Sequence, residues 1–317
     1  MKILHNQATT RHNVDTDGEG SYRIEDFPET VLSQQLVGIK ALIDQYIEFV
    51  HSTRYVQKIK GACKSKSTLA EVLLNPASFD AMLVSAYLSI LAAKNNEFAI
   101  TRPPGHHAFK ERAEGFCFFN NIAIATTYLL QQGKKVCVID IDGHHGNGTQ
   151  SIFCKEERVL FSSIHQRDTY PYSGKVTDIG KGPSFKKVIN VPVPTGSGDD
   201  VFLKSLKFII ESVQSFNPDH VAVSAGFDGY FKDKLLSLNY SKRGYYEAGR
   251  LISSMGKPTF AVLEGGYHQE VRACVEAFIA GMSGQIFDCD EQLSTSSIEC
   301  VSQTDDILLM SSKLLRV

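Results

Sequence analysis

The sequence has little of what marks secreted, membrane-spanning or nucleic-acid-binding proteins. Its seven cysteines are scattered and form no CxxC pair, so we interpret them as reduced thiols of a cytoplasmic protein. The 33 lysines and arginines are balanced by 35 acidic residues, which argues against nucleic acid as a direct partner. Apolar runs fall short of a membrane span, and the first residues lack the apolar core of a signal peptide. We therefore expect a cytoplasmic protein that binds neither membranes nor nucleic acid.

Short β-branched segments alternate with longer segments of helical pattern along the chain. The strand candidates are nearly continuous apolar runs, which predicts a sheet covered on both faces. They are Phe98–Thr101, Val136–Asp140, Val159–Ile164, His220–Ala225 and Thr259–Leu263. The helix candidates are Asn121–Gln131, Asp199–Ser215, Ser241–Ser254 and Gln269–Met282. This alternation predicts an α/β fold with a mostly parallel sheet flanked by helices.

Two stretches interrupt the pattern without marking a domain boundary. Ser173–Gly198 is rich in glycine, proline and lysine, which favours a long surface loop containing one short strand. The stretch Asp288–Thr304 is polar, and we expect a short docked helix after it, at Asp305–Leu315. Because there is no internal repeat and no low-complexity linker, we interpret residues 1–317 as a single domain.

The densest group of chemically active side chains follows the strand candidate Val136–Asp140. There Asp142 and His144 are two residues apart, so an extended backbone points both to one side, where they can share a metal ion. Carboxylate and imidazole suit zinc, with iron(II) or manganese as alternatives. Asp140 points to the same side from deeper in the strand and needs a partner, such as a histidine ring N–H. The competing interpretation is a polar turn that caps the next helix.

Two further strand candidates are also followed by polar residues. Asp228 would complete a set of three ligands, which is the usual number in catalytic zinc sites. The segment Glu264–His268 contains two glycines, one of them Gly266, that let the backbone approach a substrate and present Tyr267. Ligand sites in open α/β sheets lie at the carboxyl ends of strands, so these segments should converge. Taken alone, the second segment is equally consistent with a tight turn beside a packed aromatic ring.

An adjacent histidine pair, His106 and His107, follows the stiff turn Pro103-Pro104-Gly105. Like the other segments, the pair comes immediately after a strand candidate. Histidine is the side chain best suited to transfer protons near neutral pH, which makes the pair a candidate for general acid–base catalysis. The alternative is two surface histidines in a loop, and the dipeptide alone favours that alternative.

Six segments, taken in order, resemble the histone deacetylase superfamily. This superfamily includes class I and class II lysine deacetylases, bacterial deacetylase-like amidohydrolases and acetylpolyamine amidohydrolases. The matching segments read RPPGHHA, GFCFFNN, VIDIDGHHGNGTQ, SSIHQ, SAGFD and LEGGY, and they span about residues 101–268. An ordered set of this kind is more specific than any single motif. The chain before these segments matches only loosely.

The resemblance implies a three-layer arginase–deacetylase fold and a role for each matching residue. Asp142, His144 and Asp228 would bind one zinc ion. Proton transfer would involve His106, with Asp140 behind it, and His107, with Asn147 behind it. Tyr267 would polarise the substrate carbonyl. The position of Asn147 is aspartate in class I and asparagine in the class II and bacterial branches, so this chain is similar to the latter.

The same resemblance implies a narrow tunnel and a second metal site. Gly115, Phe116 and Tyr170 match the tunnel walls, Leu235 lies at the rim, and Gly266 is a further candidate substrate contact. A monovalent-cation site, usually for potassium, would use mostly backbone oxygens of Asp140, Asp142, His144, Ser163 and Ile164. His107 would act as base, and an imidazolium from either histidine would protonate the leaving amine. We therefore expect a zinc-dependent deacetylase acting on acetylated protein lysine or on acetylated polyamines.

Some residues depart from the pattern of these relatives. Gly143 stands between two ligands where relatives carry a bulkier residue, and we expect it to loosen the strand end. Leu235 lies at a rim position where a glutamate would favour a polyamine. An acidic N-terminal cluster would attract a polycation to the rim, although a solvated acidic loop explains the cluster equally well. Its members are Asp15, Asp17, Glu19, Glu25 and Asp26.

Two other functions compete with the deacetylase hypothesis. A binuclear manganese ureohydrolase, such as an arginase or agmatinase, shares the fold but needs ligands for a second metal, and the sequence offers no such set. A non-catalytic module that binds acetylated amines would be expected to have lost Tyr267 or a metal ligand, and all of these are present.

Overall fold

The computed structural model describes residues 1–12, 18–32 and 40–315. Its strands are β1 (Ile3–Leu4), β2 (Thr68–Leu69), β3 (Val72–Leu73), β4 (Phe98–Ala99), β5 (Val136–Asp140), β6 (Val159–Gln166), β7 (Val188–Val193), β8 (His220–Ala225) and β9 (Thr259–Leu263). Seven of them form one parallel sheet in the order β1-β4-β9-β8-β5-β6-β7. The strands β2 and β3 pair separately as a small antiparallel hairpin.

Helices cover both faces of the sheet. They are α1 (Lys40–Val50), α2 (Thr53–Ser65), α3 (Pro76–Asn95), α4 (Asn121–Leu130), α5 (Asn147–Ile152), α6 (Asp199–Gln214), α7 (Lys242–Ser253), α8 (Val271–Met282) and α9 (Ile298–Leu315). Val136 and Val138 of β5 point into a core shared with α1 to α4. Cys137 and Ile139 point the other way, into a core shared with α6 to α9. This alternation of side chains along a strand produces the expected three layers.

Helix α3 is the longest apolar helix of the first core. By length and composition alone it could cross a membrane, which corrects the expectation that the apolar runs are too short. However, 72% of its most apolar window is buried inside the protein, as in the core helix of a soluble fold. Its start is well defined, because the Asn75 side chain accepts the Ser78 N–H at 3.0 Å and Pro76 opens the first turn.

The strands agree closely with the sequence predictions, whereas the last helix does not. The bounds of β5, β8 and β9 are as predicted, and the loop Ser173–Gly198 contains the expected short strand, β7. The prediction that the last helix begins at Asp305 is wrong, because α9 begins at Ile298. Its buried positions recur at helical spacing, but Leu308 is the one large apolar residue among them and the apolar signal is therefore weak; the others are Cys300, Thr304 and Ser311.

The sheet brings the sequence motifs to one place. β5 is paired with β8, and β8 with β9, so these three parallel strands end side by side. Asp140 is in register with Ser224, and Ala225 with Leu263. The chain segments that follow these strands therefore emerge at the same edge of the sheet, as expected for a ligand site in this kind of fold.

Candidate metal centre and active site

Three side chains that we expected to bind metal meet beyond the ends of β5 and β8. The ligand atoms of Asp142, His144 and Asp228 lie within 4.8 Å of one another, and all three residues are buried. Nδ1 of His144 is 2.6 Å from Oδ2 of Asp228 and 3.5 Å from Oδ1 of Asp142. Among the described residues, no other group of His, Cys, Asp and Glu comes together in this way. Two carboxylates and one imidazole form a donor set that fits a catalytic zinc ion.

Negative charge is concentrated around these ligands. The carboxyl groups of Asp142 and Asp228, and also of Asp140 and Glu264, are almost completely buried. Burial and the neighbouring Asp142 carboxylate raise the pKa of Asp228. Burial alone would lower the pKa of His144, but the Asp228 carboxylate outweighs it and raises this pKa to about 10. Buried carboxylates are costly unless a cation compensates them, so this arrangement favours a bound cation.

Backbone N–H groups hold the two ligand carboxylates. Gly265 N–H donates to Oδ2 of Asp142 at 2.7 Å, and Gly143 N–H donates to Oδ1 of Asp228 at 2.7 Å. A Cβ atom on Gly143 would lie 2.3 Å from Cδ1 of Leu236. Leu236 therefore fills the space that a larger side chain at position 143 would take, and the expectation that Gly143 loosens the strand end stays a prediction.

The adjacent histidines differ in their partners and in their preferred charge. Nδ1 of His106 is 3.1 Å from Oδ2 of Asp140, and Nδ1 of His107 is 2.8 Å from Oδ1 of Asn147. Burial alone would lower the pKa of His106, but the carboxylates of Asp142 and Asp140 raise it to about 10. Burial, reinforced by the charge of His106, lowers the pKa of His107. His106 is thus suited to be a cation, and His107 to be a neutral base.

A cavity of about 210 Å³ opens next to the ligands and the histidines. Its lining consists of Glu71, His107, Gly115, Phe116, His144, Thr169, Tyr170, Leu235 and Tyr267. Gly115 has φ +53°, and a Cβ atom there would lie 2.7 Å from the Tyr170 hydroxyl, so glycine is required at this point of the wall. The rings of Phe116 and Tyr267 meet edge to face, with centres 5.6 Å apart. The structure thus brings four of the predicted tunnel residues and Tyr267 into one narrow, largely apolar cavity.

Comparison with known proteins identifies the family. Residues 22–282 match the model of the histone deacetylase domain. The chain belongs to the histone deacetylase family. A probable deacetylase of Archaeoglobus fulgidus is 38% identical over 246 residues, which cover 73% of this chain and 68% of the relative. Acetylpolyamine amidohydrolase 1 of Pseudomonas aeruginosa is 36% identical over 210 residues, which cover 63% of this chain and 61% of that protein.

A solved structure confirms the fold. The crystal structure of the HDA15 HD domain has a TM-score of 0.84 at 24% sequence identity, covering 98% of this chain and 94% of that one. The named relatives are hydrolases that act on amides, and this member of the histone deacetylase family is likewise a hydrolase of linear amides.

Gly266, the remaining predicted substrate contact of this deacetylase-family chain, lies behind Tyr267 instead of on the cavity wall. It has φ +114°, and its carbonyl accepts a hydrogen bond from Nε of Arg23 at 2.6 Å. A second contact holds the same turn, because the Tyr22 hydroxyl donates to the carbonyl of Tyr267 at 2.8 Å. Gly266 therefore shapes the turn that presents Tyr267.

A buried ion-pair cluster lies beneath this turn. Oε1 of Glu19 is 3.1 Å from Arg23 and 2.9 Å from Nε of Arg102, and all three side chains are inaccessible to solvent. Glu19 thus cannot attract a polycation at the rim, and this member of the proposed acidic cluster is corrected to a structural role. Glu25 and Asp26 are exposed. Asp15 and Asp17 lie outside the described residues.

Glu264 and Asp233 hold the backbone of the site, and the sequence analysis did not assign either of them this role. Oε2 of Glu264 accepts the backbone N–H groups of Gly105 and His106, at 2.7 and 3.1 Å. The Asp233 carboxylate accepts the N–H of Tyr267 at 2.6 Å and that of Leu235 at 2.9 Å. Glu264 could have been suspected from its place at the end of a strand. Asp233 gave no local signal, because its partner at Tyr267 is distant in sequence.

Of the residues expected to bind potassium, Asp140, Ser163 and Ile164 lie on the adjacent strands β5 and β6, whereas Asp142 and His144 lie just after β5. Asp140 of β5 is in register with Ser163 of β6, and Ile164 follows Ser163 within β6. Oδ1 of Asp140 accepts the N–H of Asp142 at 3.1 Å, and the Ser163 hydroxyl is 2.9 Å from Nδ1 of His165.

Proposed function

We propose that this protein is a zinc-dependent deacetylase that hydrolyses the amide of N-acetylated primary amines. The proposal depends on how one group of residues is arranged. Asp142, His144 and Asp228 meet in the interior of the protein, at the base of a narrow cavity. His107 and Tyr267 line the same cavity beside them. When bound there, zinc lowers the pKa of a water molecule and polarises the substrate carbonyl. A potassium ion near Asp140, Ser163 and Ile164 is part of the same proposal.

The protein side chains divide the proton transfers between them. His107 lines the cavity and has a lowered pKa, so it takes a proton from the attacking water and returns it to the leaving amine. Nδ1 of His106 is 3.1 Å from the Asp140 carboxylate, which favours the protonated ring, and a positive charge there stabilises negative charge that develops on the substrate. The Tyr267 hydroxyl donates a hydrogen bond to the carbonyl oxygen as it becomes an oxyanion.

The cavity suits a linear alkyl chain that carries an acetylated amine. Its walls include Phe116, Tyr170 and Leu235, and its volume is about 210 Å³. Acetyl-lysine in proteins and acetylated polyamines both have this shape, so both are candidate substrates. The free cysteines support a cytoplasmic location, because reduced thiols persist there.

The proposal is tested by comparing three substrates. An acetyl-lysine peptide, acetylputrescine and acetylspermidine are incubated with the purified enzyme, and released acetate is measured. We expect release from at least one substrate, its loss with a zinc chelator, and its recovery when zinc is added back. If no substrate loses acetate in the presence of zinc, the proposed activity is wrong.

Metal analysis separates this proposal from its rivals. A deacetylase should contain one zinc ion per chain, whereas a binuclear ureohydrolase should contain two manganese ions. Only one three-ligand group occurs among the described residues, which favours the first outcome. A non-catalytic module would bind an acetylated amine without releasing acetate, and the presence of Tyr267 in the cavity argues against it.

A further inference from the structure

Asn147 occupies the place behind His107 where class I deacetylases carry a carboxylate. Its Oδ1 atom is 2.8 Å from Nδ1 of His107. An amide is neutral, so this contact provides less negative charge to the imidazole than an aspartate would. The structure places a carboxylate one step further back, because Nδ2 of Asn147 donates to Oε1 of Glu114 at 2.8 Å.

The chemistry of the three groups fixes the direction of both hydrogen bonds. A carboxylate only accepts, so Asn147 must turn its NH₂ group to Glu114 and its oxygen to His107. The imidazole must then carry its proton on Nδ1, which leaves Nε2 free as a base. The N–H of Gly148 donates to the same Oδ1 atom at 3.0 Å, in agreement with this orientation.

Glu114 is held where this interaction can persist. Its backbone exchanges two hydrogen bonds with Cys117, at 2.9 and 3.1 Å, in the tight loop that contains the cavity residues Gly115 and Phe116. Its second carboxylate oxygen is 2.7 Å from Arg112. Only 24% of the Glu114 side chain is exposed, so solvent screens its charge incompletely.

We propose that Glu114 is a positioning residue that supplies negative charge to His107 through Asn147. Glu114 and Asn147 together would then have the role that a single aspartate has behind this histidine in class I relatives. This inference rests on the proposed function, since it concerns the base of that reaction.

Glu114→Gln tests the role of the charge. Glutamine keeps an oxygen that accepts from Asn147 but removes the negative charge, so we expect kcat to fall roughly three- to tenfold with KM unchanged. Glu111→Gln is the matched control, because it removes the same charge from an exposed position of the same loop. Equal kcat values for the two variants would overturn the proposal.

A second test introduces Asn147→Asp both into the wild-type protein and into the Glu114→Gln variant, where we expect opposite effects on kcat. In the presence of Glu114, the introduced carboxylate would face another carboxylate at hydrogen-bond distance, and we expect kcat to fall at least about tenfold. In the Glu114→Gln background, the glutamine amide can donate to the introduced carboxylate, and kcat should rise above that of Glu114→Gln alone. If Asn147→Asp has the same effect in both backgrounds, the coupling does not exist.

A spectroscopic readout separates this inference from the proposed function. In zinc-loaded protein with ¹⁵N-labelled histidine, the His107 ring should carry its proton on Nδ1, and Glu114→Gln should shift that proton resonance upfield because the hydrogen bond weakens. A His107→Gln variant assigns the signal. An unchanged resonance would overturn the inference. Because this measurement needs no turnover, it gives an answer even if the wild-type protein releases no acetate.

Discussion

The guanidinium carbon of Arg23 lies 4.7 Å from the centre of the Tyr267 ring. This contact joins the N-terminal segment to the residue that we propose to polarise the substrate carbonyl. Burial raises the pKa of Tyr267, while the charge of Arg23 opposes that effect. The net direction is upward, so the phenol stays protonated at neutral pH and can donate a hydrogen bond.

Tyr267→Phe should separate catalysis from metal binding. The substitution removes the hydroxyl that stabilises the oxyanion, so we expect kcat to fall by about 10²- to 10³-fold. Zinc content should not change, because no ligand is altered. Both are measured on one preparation, by acetate release and by elemental analysis. Tyr172→Phe is the control, since Tyr172 is 78% exposed. A turnover equal to that of wild type would remove Tyr267 from the mechanism.

Asp228→Ala should abolish metal binding. The substitution removes the carboxylate that lies 2.6 Å from Nδ1 of His144 and leaves two of the three ligands. We expect the purified variant to contain little zinc and to release no acetate. Asp219→Ala is the control, because Asp219 is exposed at the opposite end of β8. A full equivalent of zinc in the Asp228→Ala protein would show that this ligand assignment is wrong.

The sheet and the centre of the site could be predicted from sequence because both are encoded locally. Buried parallel strands are continuous apolar runs, which is why the bounds of β5, β8 and β9 were predicted correctly. The ligand candidates directly follow two of these strands, and parallel strands end at a common edge. Asp142 and His144 therefore follow from spacing alone, whereas Asp228 needed the fold to bring it alongside them.

The residues that support the site could not be predicted because their partners are distant in sequence. Glu19 is an acidic residue in a polar segment, and only the fold shows that it pairs with Arg23 and Arg102 in the interior. Glu114 has the same difficulty, since its partner Asn147 belongs to another segment. Local sequence patterns identify strands, helices and dense motifs. A buried pair of polar residues is recognised only when the fold shows where both residues lie.

Glu19→Ala should destabilise the fold strongly. The substitution leaves the guanidinium groups of Arg23 and Arg102 buried without their carboxylate, which typically costs about 3–5 kcal/mol. The free energy of unfolding can be measured by urea denaturation followed by circular dichroism. Glu25→Ala removes an exposed carboxylate of the same segment and should change stability little. Similar stabilities of the two variants would contradict the role assigned to the buried cluster.

His51 should make stability depend on pH. Its Nε2 atom accepts the N–H of Asn120 at 2.9 Å, so the folded protein needs the neutral ring. Burial lowers the pKa of His51 from 6.5 to about 4. The unfolded chain therefore binds a proton first as pH falls, and about 3 kcal/mol of stability should be lost between pH 7 and pH 4. His51→Gln should lose less over this range, as urea denaturation at each pH would show. Burial also lowers the pKa of the half-buried His220, but less than that of His51, so His220→Gln should reduce the pH dependence less than His51→Gln does.

Glu71 should influence which acetylated amine the enzyme prefers. It lines the cavity from the two-residue turn between β2 and β3, where Ala70 and Glu71 have φ of +49° and +66°, a conformation that side chains rarely adopt. A carboxylate there attracts a substrate that carries further positive charge. For Glu71→Gln we expect kcat/KM to fall about three- to tenfold with acetylspermidine at low salt and to stay unchanged with an uncharged acetyl-lysine peptide. The difference between the two substrates should shrink as salt is added.

Glu157→Gln is the control, because it removes a charge at an exposed position outside the cavity lining and should affect neither substrate. An equal fall in kcat/KM on both substrates would mean that Glu71 shapes the turn but does not select substrates by their charge.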